Sequence, residues 1–493
     1  MKFYSTRDSK RIEFTSAEVI KKGLADDGGL FVPASIPLIT ADEIKSYCSM
    51  SYAELATAIL EKFLSDYSHD ELLADSVMAY ERGSFPDDPC PLYKVDDTSY
   101  SLELWHGPTC AFKDMALQIM PRLLSRSLIK TGEDRDALVL VATSGDTGKA
   151  ALEGYCDVER IKIAVFYPEN GVSTMQKLQM ATQTGSNVHV SAVEGNFDDI
   201  QSGVKKVFSN PQYAAELDSH GYFLSSANSI NFGRLAPQIV YYVKSYCDLI
   251  NNGAITYGDR INVCVPTGNF GNILAAYIAK LMGLPINKLI CASNSNNILT
   301  DFLRTGVYDT NRNFRTTMSP SMDILISSNL ERLLYFICGH EKTAEYMKSL
   351  KESGKYQVAA EVKEEIDRCF VGYYADEYST MTAVREMHDN FNYLIDTHTG
   401  VAFSALEQYR NETKDFTVTV VASTANPYKF AHDVHDSIYD DIPLTDLRAF
   451  AELERRSKVE PPAQLKDLPL RRIRFTGCIA PEDIYAEVLK FIK

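Results

Sequence analysis

Apolar positions along this chain follow two rhythms. Over the first ninety or so residues they recur three and four apart, as in SAEVIKKGLA and SYAELATAILEKFLSDY, which predicts amphipathic helices. Between those segments lies DDGGLFVPASIP, rich in turn residues and flanked by Leu30, Phe31 and Val32. FPDDPCP at 85–91 reads as a linker. From residue 137 short β-branched runs alternate with helical periods. ALVLVA leads into TSGDTGKAALEGYC, and KIAVFYP follows. NVHVSAVEG leads into FDDIQSGVKKVFS, INVCVP into TGNFGNILAAYIAKLMG, and LICASN and FTVTVVAST come after. Strands this apolar require cover on both faces, so the alternation predicts an α/β protein with largely parallel sheets. Residues 331–390 interrupt it with charged helical periods such as AAEVKEEIDRCF, read as a helical insertion.

Length and composition narrow the picture further. A chain of 493 residues has room for roughly three domain-sized units and a large core. Lys and Arg total 50 against 66 Asp and Glu, a net charge of −16, which argues against non-specific nucleic-acid binding and a basic membrane-surface patch. The opening MKFYSTRDSKRIEF is not followed by an apolar stretch, and no apolar run reaches membrane-spanning length. The ten cysteines show no C-x-x-C pair and are expected to be reduced, in a cytoplasmic protein.

Three stretches carry candidate chemistry. ATSGDTGKAAL (142–152) and PTGNFGNILAA (266–276) each leave an apolar strand, pass through glycines and hydroxyl or amide residues, and enter a helix. Unpaired amides at such a helix start favour a phosphate, although either loop alone also fits a plain βα turn. GDTGKA is not a P-loop: two residues separate its glycines where four are needed, and Ala150 stands where a metal-binding hydroxyl belongs. GNFG lacks the dinucleotide spacing. In HGPTCAFKDMALQIM (106–120), Lys113 sits among Cys110, Ala111, Phe112 and Met115. An amine in an apolar pocket loses protonation, which is what a Schiff-base lysine needs, and pyridoxal phosphate is the common cofactor held in that way. Taken alone, Lys113 also fits a solvated surface lysine; a phosphate loop in the same chain favours the cofactor. Asn228 and Asn231 fit either ligand contacts or turn caps. His432 and His435, three apart, fit a polar face better than a metal site, and no metal is expected. His106, close to Lys113 in sequence, fits either a cofactor or substrate contact or a packing role, and Trp105 fits packing.

HGPTCAFKD, ATSGDTG, SANSINFGR, PTGNFGN and STANPYKF stand in the order found in threonine synthases, and GLADDGGLFVP and DTHTGVA extend the match almost end to end. The chain therefore resembles the bacterial and fungal threonine synthases, within the tryptophan-synthase-β-like (fold type II) group of pyridoxal-phosphate enzymes. That resemblance implies a two-lobed α/β fold with a helical amino-terminal domain over 1–93. The cofactor domain would comprise 94–140 and 246–493, and a smaller α/β domain 141–245. Lys113 would be the Schiff-base lysine and proton shuttle. Gly268, Asn269, Phe270, Gly271 and Asn272 would cradle the cofactor phosphate, Thr424 would meet the ring nitrogen, and Asp146 would lie near the ring. Ser144, Thr147, Ser229 and Arg234 would take the substrate phosphate. The implied reaction turns O-phospho-L-homoserine and water into L-threonine and phosphate, in a monomer or homodimer. The motifs also fit a phospho-lyase that releases a 2-oxo acid, ammonia and phosphate; a non-catalytic relative is the remaining reading.

Overall fold

The computed structural model describes all residues except 83, 84, 144, 171 and 440–443. Among the described residues, two sheets organise the chain. The larger runs Phe370–Tyr374, Ile286–Ser293, Ile261–Pro266, Thr419–Ser423, Ser99–Glu103, Leu92–Lys94, parallel except for the last, antiparallel pair. The smaller runs Cys478–Ile479, Val188–Val193, Ile161–Pro168, Asp136–Ala142, Tyr222–Ser225, parallel throughout. Every residue of Ile261–Pro266 and Thr419–Ser423 is buried, as strands covered by helices on both faces must be. Each apolar run singled out above forms one of these strands.

Sheet membership differs from the sequence-based boundaries in three places. The division at 140/141 falls inside the strand Asp136–Ala142, which pairs along most of its length with Ile161–Pro168 in the smaller sheet. The carboxyl terminus returns to that same sheet: Cys478–Ile479 pairs with Ala192 and Val193, and the helix Ile484–Ile492 packs Ile484 and Val488 against Leu138, Phe166 and Ile200. Residues 331–390 are not wholly helical, because FVGYY, aromatic and β-branched, forms the edge strand Phe370–Tyr374 between the helices Ala360–Cys369 and Glu377–Phe391.

The amino-terminal segment holds the helices Ser16–Lys22, Ala41–Tyr47, Tyr52–Glu61 and His69–Tyr80, each started by a Ser or Thr paired with a Glu three residues on. LFVP contributes a strand as well, Phe31–Pro33, antiparallel to Phe3–Ser5. FPDDPCP is not a free linker: Phe85 and Cys90 are buried, and the Phe85 ring packs on Tyr80. Among the described residues no helix is long and apolar enough to cross a membrane, and none of the ten cysteines is in a disulfide.

Candidate active site

Parallel pairing brings the carboxyl ends of three strands of the larger sheet together, and the Lys113–Asp146 contact joins to them the end of Asp136–Ala142 from the smaller sheet, in the kind of region where α/β sheets bind ligands. Ser99–Glu103 runs on to Lys113, Asp136–Ala142 to Asp146, Ile261–Pro266 to the 268–272 loop, and Thr419–Ser423 to Thr424.

Lys113 stands at the start of the short helix Asp114–Leu117, on a loop fastened to the 424–426 segment. Phe112 N donates to Thr424 O at 2.8 Å, Asn426 N to Cys110 O at 3.0 Å, and Ala111 bridges Ala425. Lys113 Nζ donates to Ser321 Oγ at 3.3 Å and lies 3.7 Å from Asp146 Oδ2. Burial pushes this amine below its ordinary pKa; Asp146 opposes the shift, while Lys429 and Arg234 reinforce it.

Asp146, the first residue of the helix Asp146–Tyr155, is held from three sides. Lys429 Nζ approaches Oδ1 to 2.8 Å, Gln176 Nε2 donates to Oδ1 at 3.0 Å, and Lys113 faces Oδ2. Burial alone would raise this carboxyl, but the two lysines and Gln176 hold it well below the usual carboxylate range. Close packing of Gln176 against Gly145 makes the turn: a Cβ there would stand 2.5 Å from the Gln176 amide, at φ +144°. Thr143 Oγ1 accepts from the amides of Gly145 and Gly148 and so caps the loop.

The 268–272 loop opens the helix Gly271–Leu281, whose first amides have no partner within the helix. Gly268 is required by close approach, since a Cβ there would stand 2.7 Å from Ser321 O. Asn272 Oδ1 accepts from Tyr241 OH at 2.8 Å and from Tyr242 OH, which leaves its Nδ2 buried without an acceptor. An orphaned donor beside free helix amides fits a phosphate, and so fits the cofactor implied by the resemblance. Phe270 contributes backbone only, at φ +61°, because its ring packs on Phe370. Asn269 is exposed and offers its carbonyl to Asn329.

Arg234 lies in the short helix Phe232–Leu235 and is buried, yet none of its described partners is a carboxylate. Its Nη1 donates to Ala227 O, and its Nε has no partner among the described residues. Burial lowers its pKa to about 10, with Tyr155 opposing. A buried guanidinium with a free donor is a seat for an anion. Thr147 is half-buried and its hydroxyl has no hydrogen-bond partner among the described residues; Ser229 Oγ donates to Asn228 Oδ1 at 3.3 Å, and Ser144 lies outside the described residues. Asn231 caps its own turn and donates to Ile20 O, so it serves structure. Lys149 is buried against Glu153 and Gln183 and lines a separate cavity of about 630 Å³ with Arg471, Arg472 and Arg474.

Thr424 is buried at its strand end, and its carbonyl holds the Lys113 loop. His106 bonds Glu103 at 2.7 Å and stacks on Trp105, a packing role for both rings. His432 pairs with Asp433 and Asp436 on a half-exposed face. Among the described residues no group of three metal-ligating side chains stands together.

Sequence reasoning missed Lys429 and Ser321. Lys429 had a signal: in STANPYKF it is a lone lysine between Tyr428 and Phe430, in largely apolar surroundings like those that singled out Lys113. Ser321 had none, since it comes from a loop two hundred residues away.

Residues 93–424 match the family described as "Pyridoxal-phosphate dependent enzyme", and residues 2–80 the family described as "Threonine synthase N terminus". The chain is 39% identical over 427 residues to "Threonine synthase-like 1" of Homo sapiens, covering 84% of this chain and 57% of that protein's length. It is 37% identical over 469 residues to the threonine synthase of Pseudomonas aeruginosa, covering 94% and 96%. The crystal structure of pyridoxal-phosphate-bound threonine synthase from Brucella melitensis superposes with a TM-score of 0.88 at 34% identity, covering 100% of this chain and 98% of that one.

Proposed function

We infer the reaction from one premise: the chain belongs to the threonine synthase family of pyridoxal-phosphate-dependent enzymes. From it we propose that the enzyme converts O-phospho-L-homoserine and water into L-threonine and phosphate. One observation carries the choice of a phosphorylated substrate. Arg234 is a buried cation with a free donor, close enough to Lys113 to affect its pKa, and distinct from the 268–272 loop. With the cofactor phosphate assigned to that loop, Arg234 is left for a second phosphate.

Pyridoxal phosphate, when bound, supplies a carbonyl for the substrate amine and a ring that delocalises negative charge from the neighbouring carbon. The chain does the rest. The 268–272 amides and Asn272 Nδ2 would hold its phosphate, and Thr424 would meet its ring nitrogen. Burial keeps the Lys113 amine available as a base, so it removes the proton from the substrate α-carbon and then one from the β-carbon. Arg234, with Thr147 and Ser229, binds the substrate phosphate and stabilises its charge as it leaves the γ-carbon. A proton is then delivered to the γ-carbon, which becomes the methyl group of threonine, water adds at the β-carbon, and Lys113 returns a proton to the α-carbon. Asp146 lies beside Lys113 throughout, its charge shared with Lys429.

Product analysis tests this reading. The cofactor-loaded protein is incubated with O-phospho-L-homoserine, and amino acids, 2-oxo acids and phosphate are measured. Threonine and phosphate in equal amounts support the synthase. 2-Oxobutanoate with phosphate and ammonia would establish the lyase instead, and absence of phosphate release would overturn the substrate assignment.

A further inference from the structure

Ser321 touches both halves of the site. Its hydroxyl accepts from Lys113 Nζ at 3.3 Å, and its carbonyl oxygen lies 2.7 Å from where a Cβ on Gly268 would stand. Its amide donates to His398 Nε2 at 3.2 Å. Because Ser321 is the middle residue of the single 3-10 turn Pro320–Met322, the anchor on its amide also orients its hydroxyl and its carbonyl.

The state of His398 follows from its other contact. It is buried in the first turn of the helix Thr397–Thr413, with Nδ1 2.7 Å from Asp396 Oδ2. Asp396 caps that helix and also accepts from the amides of His398 and Thr399 and from Thr399 Oγ1. A carboxylate offers acceptors only, so Nδ1 carries the hydrogen, and the Ser321 amide, which can only donate, meets a lone pair at Nε2. Other bonds hold the flanks of this loop: Thr397 Oγ1 donates to Met318 O at 2.6 Å, and Thr317 N donates to Asp323 at 3.0 Å. Among the described residues, His398 alone receives the amide of Ser321.

We propose that His398 is a positioning residue for Lys113. Held by Asp396 with its hydrogen on Nδ1, it sets the Ser321 turn so that the hydroxyl meets the lysine amine and the carbonyl closes over the 268–272 loop. The inference rests on reading Lys113 as the cofactor-bearing lysine.

Three substitutions separate this role from general packing. In His398→Gln the amide oxygen reaches about as far as Nε2 and keeps an acceptor for Ser321. In His398→Asn the side chain reaches only as far as Nδ1, and His398→Leu has no acceptor. The first measurement is hydrogen–deuterium exchange of the peptide containing Ser321 in cofactor-free protein. Exchange should quicken in the Asn and Leu variants and stay near wild type in the Gln variant. In loaded enzyme the Asn and Leu variants should lose roughly a hundredfold in kcat with little change in KM, and Gln should restore most of it. Thr397→Val, which frees only the flank of the loop, should leave exchange at Ser321 slow.

Three His398 variants that behave alike would overturn the proposal. So would unchanged exchange at Ser321 in the Asn and Leu variants, or a Thr397→Val variant matching their loss. If the Leu variant does not fold, the Asn and Gln pair decides. Failure of the underlying site reading shows separately: borohydride reduction would then not fix the cofactor to Lys113 in wild type, whatever the exchange data give.

Discussion

Lys429 donates to Asp146 at 2.8 Å from a side chain with no solvent exposure, and the same carboxylate faces Lys113 at 3.7 Å. A buried lysine and a half-buried one thus share one carboxylate, and the nearer one takes most of it. Lys429 also donates to Thr109 O at 2.8 Å, so its position is fixed. Its charge is one of the influences that lower the pKa of Lys113.

Lys429→Met should therefore raise the pKa of Lys113, because a repelling charge is gone and Asp146 turns wholly to the remaining lysine. Cofactor uptake by the cofactor-free protein requires the neutral amine, so its pH midpoint should move upward. Breaking a buried pair from one side should also destabilise the fold by about 3–5 kcal/mol. Uptake rates across a pH series and a urea titration check the two effects, and an unmoved midpoint would sink the first.

Arg234→Met should separate stability from function. Removing an uncompensated buried charge is neutral or stabilising when the replacement fills the space, so Tm should hold or rise. Loss of the guanidinium should raise KM for the phosphorylated substrate roughly tenfold or more, as expected for a charge-assisted contact. Affinity for the cofactor should not change. A parallel loss of cofactor would instead place Arg234 at the cofactor phosphate.

Six strands of the two sheets were legible because each is an apolar run with turn residues at its end. ALVLVA, KIAVFYP and INVCVP need no tertiary information to be read as buried strands. Phe370–Tyr374 was not legible, since its five residues lie between two charged helical periods that set the local rhythm. Return of the carboxyl terminus to the smaller sheet could not be read either: Cys478–Ile479 is two residues long and is defined by its partner, Val188–Val193. At the site, Lys113 and the 268–272 loop stood out because each breaks a local rule, a lysine among apolar residues and a glycine pair before a helix. Ser321 breaks none. It matters through contacts with residues 113, 268 and 398, which only the folded chain supplies.

Arg332→Met should loosen the join between the amino-terminal segment and the site. Arg332 is fully buried, donates through Nε to Phe31 O at 2.9 Å, and reaches Asn329 Oδ1 and Ile230 O with its other nitrogens. Asn329 in turn donates to the carbonyls of Ser229 and Asn269. Methionine fills the volume but leaves acceptors buried without donors, at about 1–3 kcal/mol each. A fall in Tm should accompany a higher KM, in contrast to Arg234→Met. Unchanged stability would show that these carbonyls find other partners.

Asp114 gives the site a pH signature with a definite sign. It is fully buried beside Lys113, and burial raises its pKa to about 6 although Thr109 donates to it through both its amide, at 2.8 Å, and its hydroxyl, at 2.7 Å. In the unfolded chain an aspartate titrates near its ordinary value of about 3.9. Between those two values the folded chain keeps a proton that the unfolded chain has released, so stability falls as pH rises through the window. The loss from this group amounts to on the order of 3 kcal/mol, complete above the folded pKa and absent below the unfolded one. Asp114→Asn carries no proton to lose and should remove that slope, while its one oxygen still accepts from Thr109. Denaturant titrations at pH 4 and pH 6.5 on both proteins isolate the effect, because every other titrating group is common to the pair. Wild type should lose on the order of 2 kcal/mol more than the variant over that interval. Equal losses would mean that the Thr109 donors, and not burial, set the charge of this carboxyl beside Lys113.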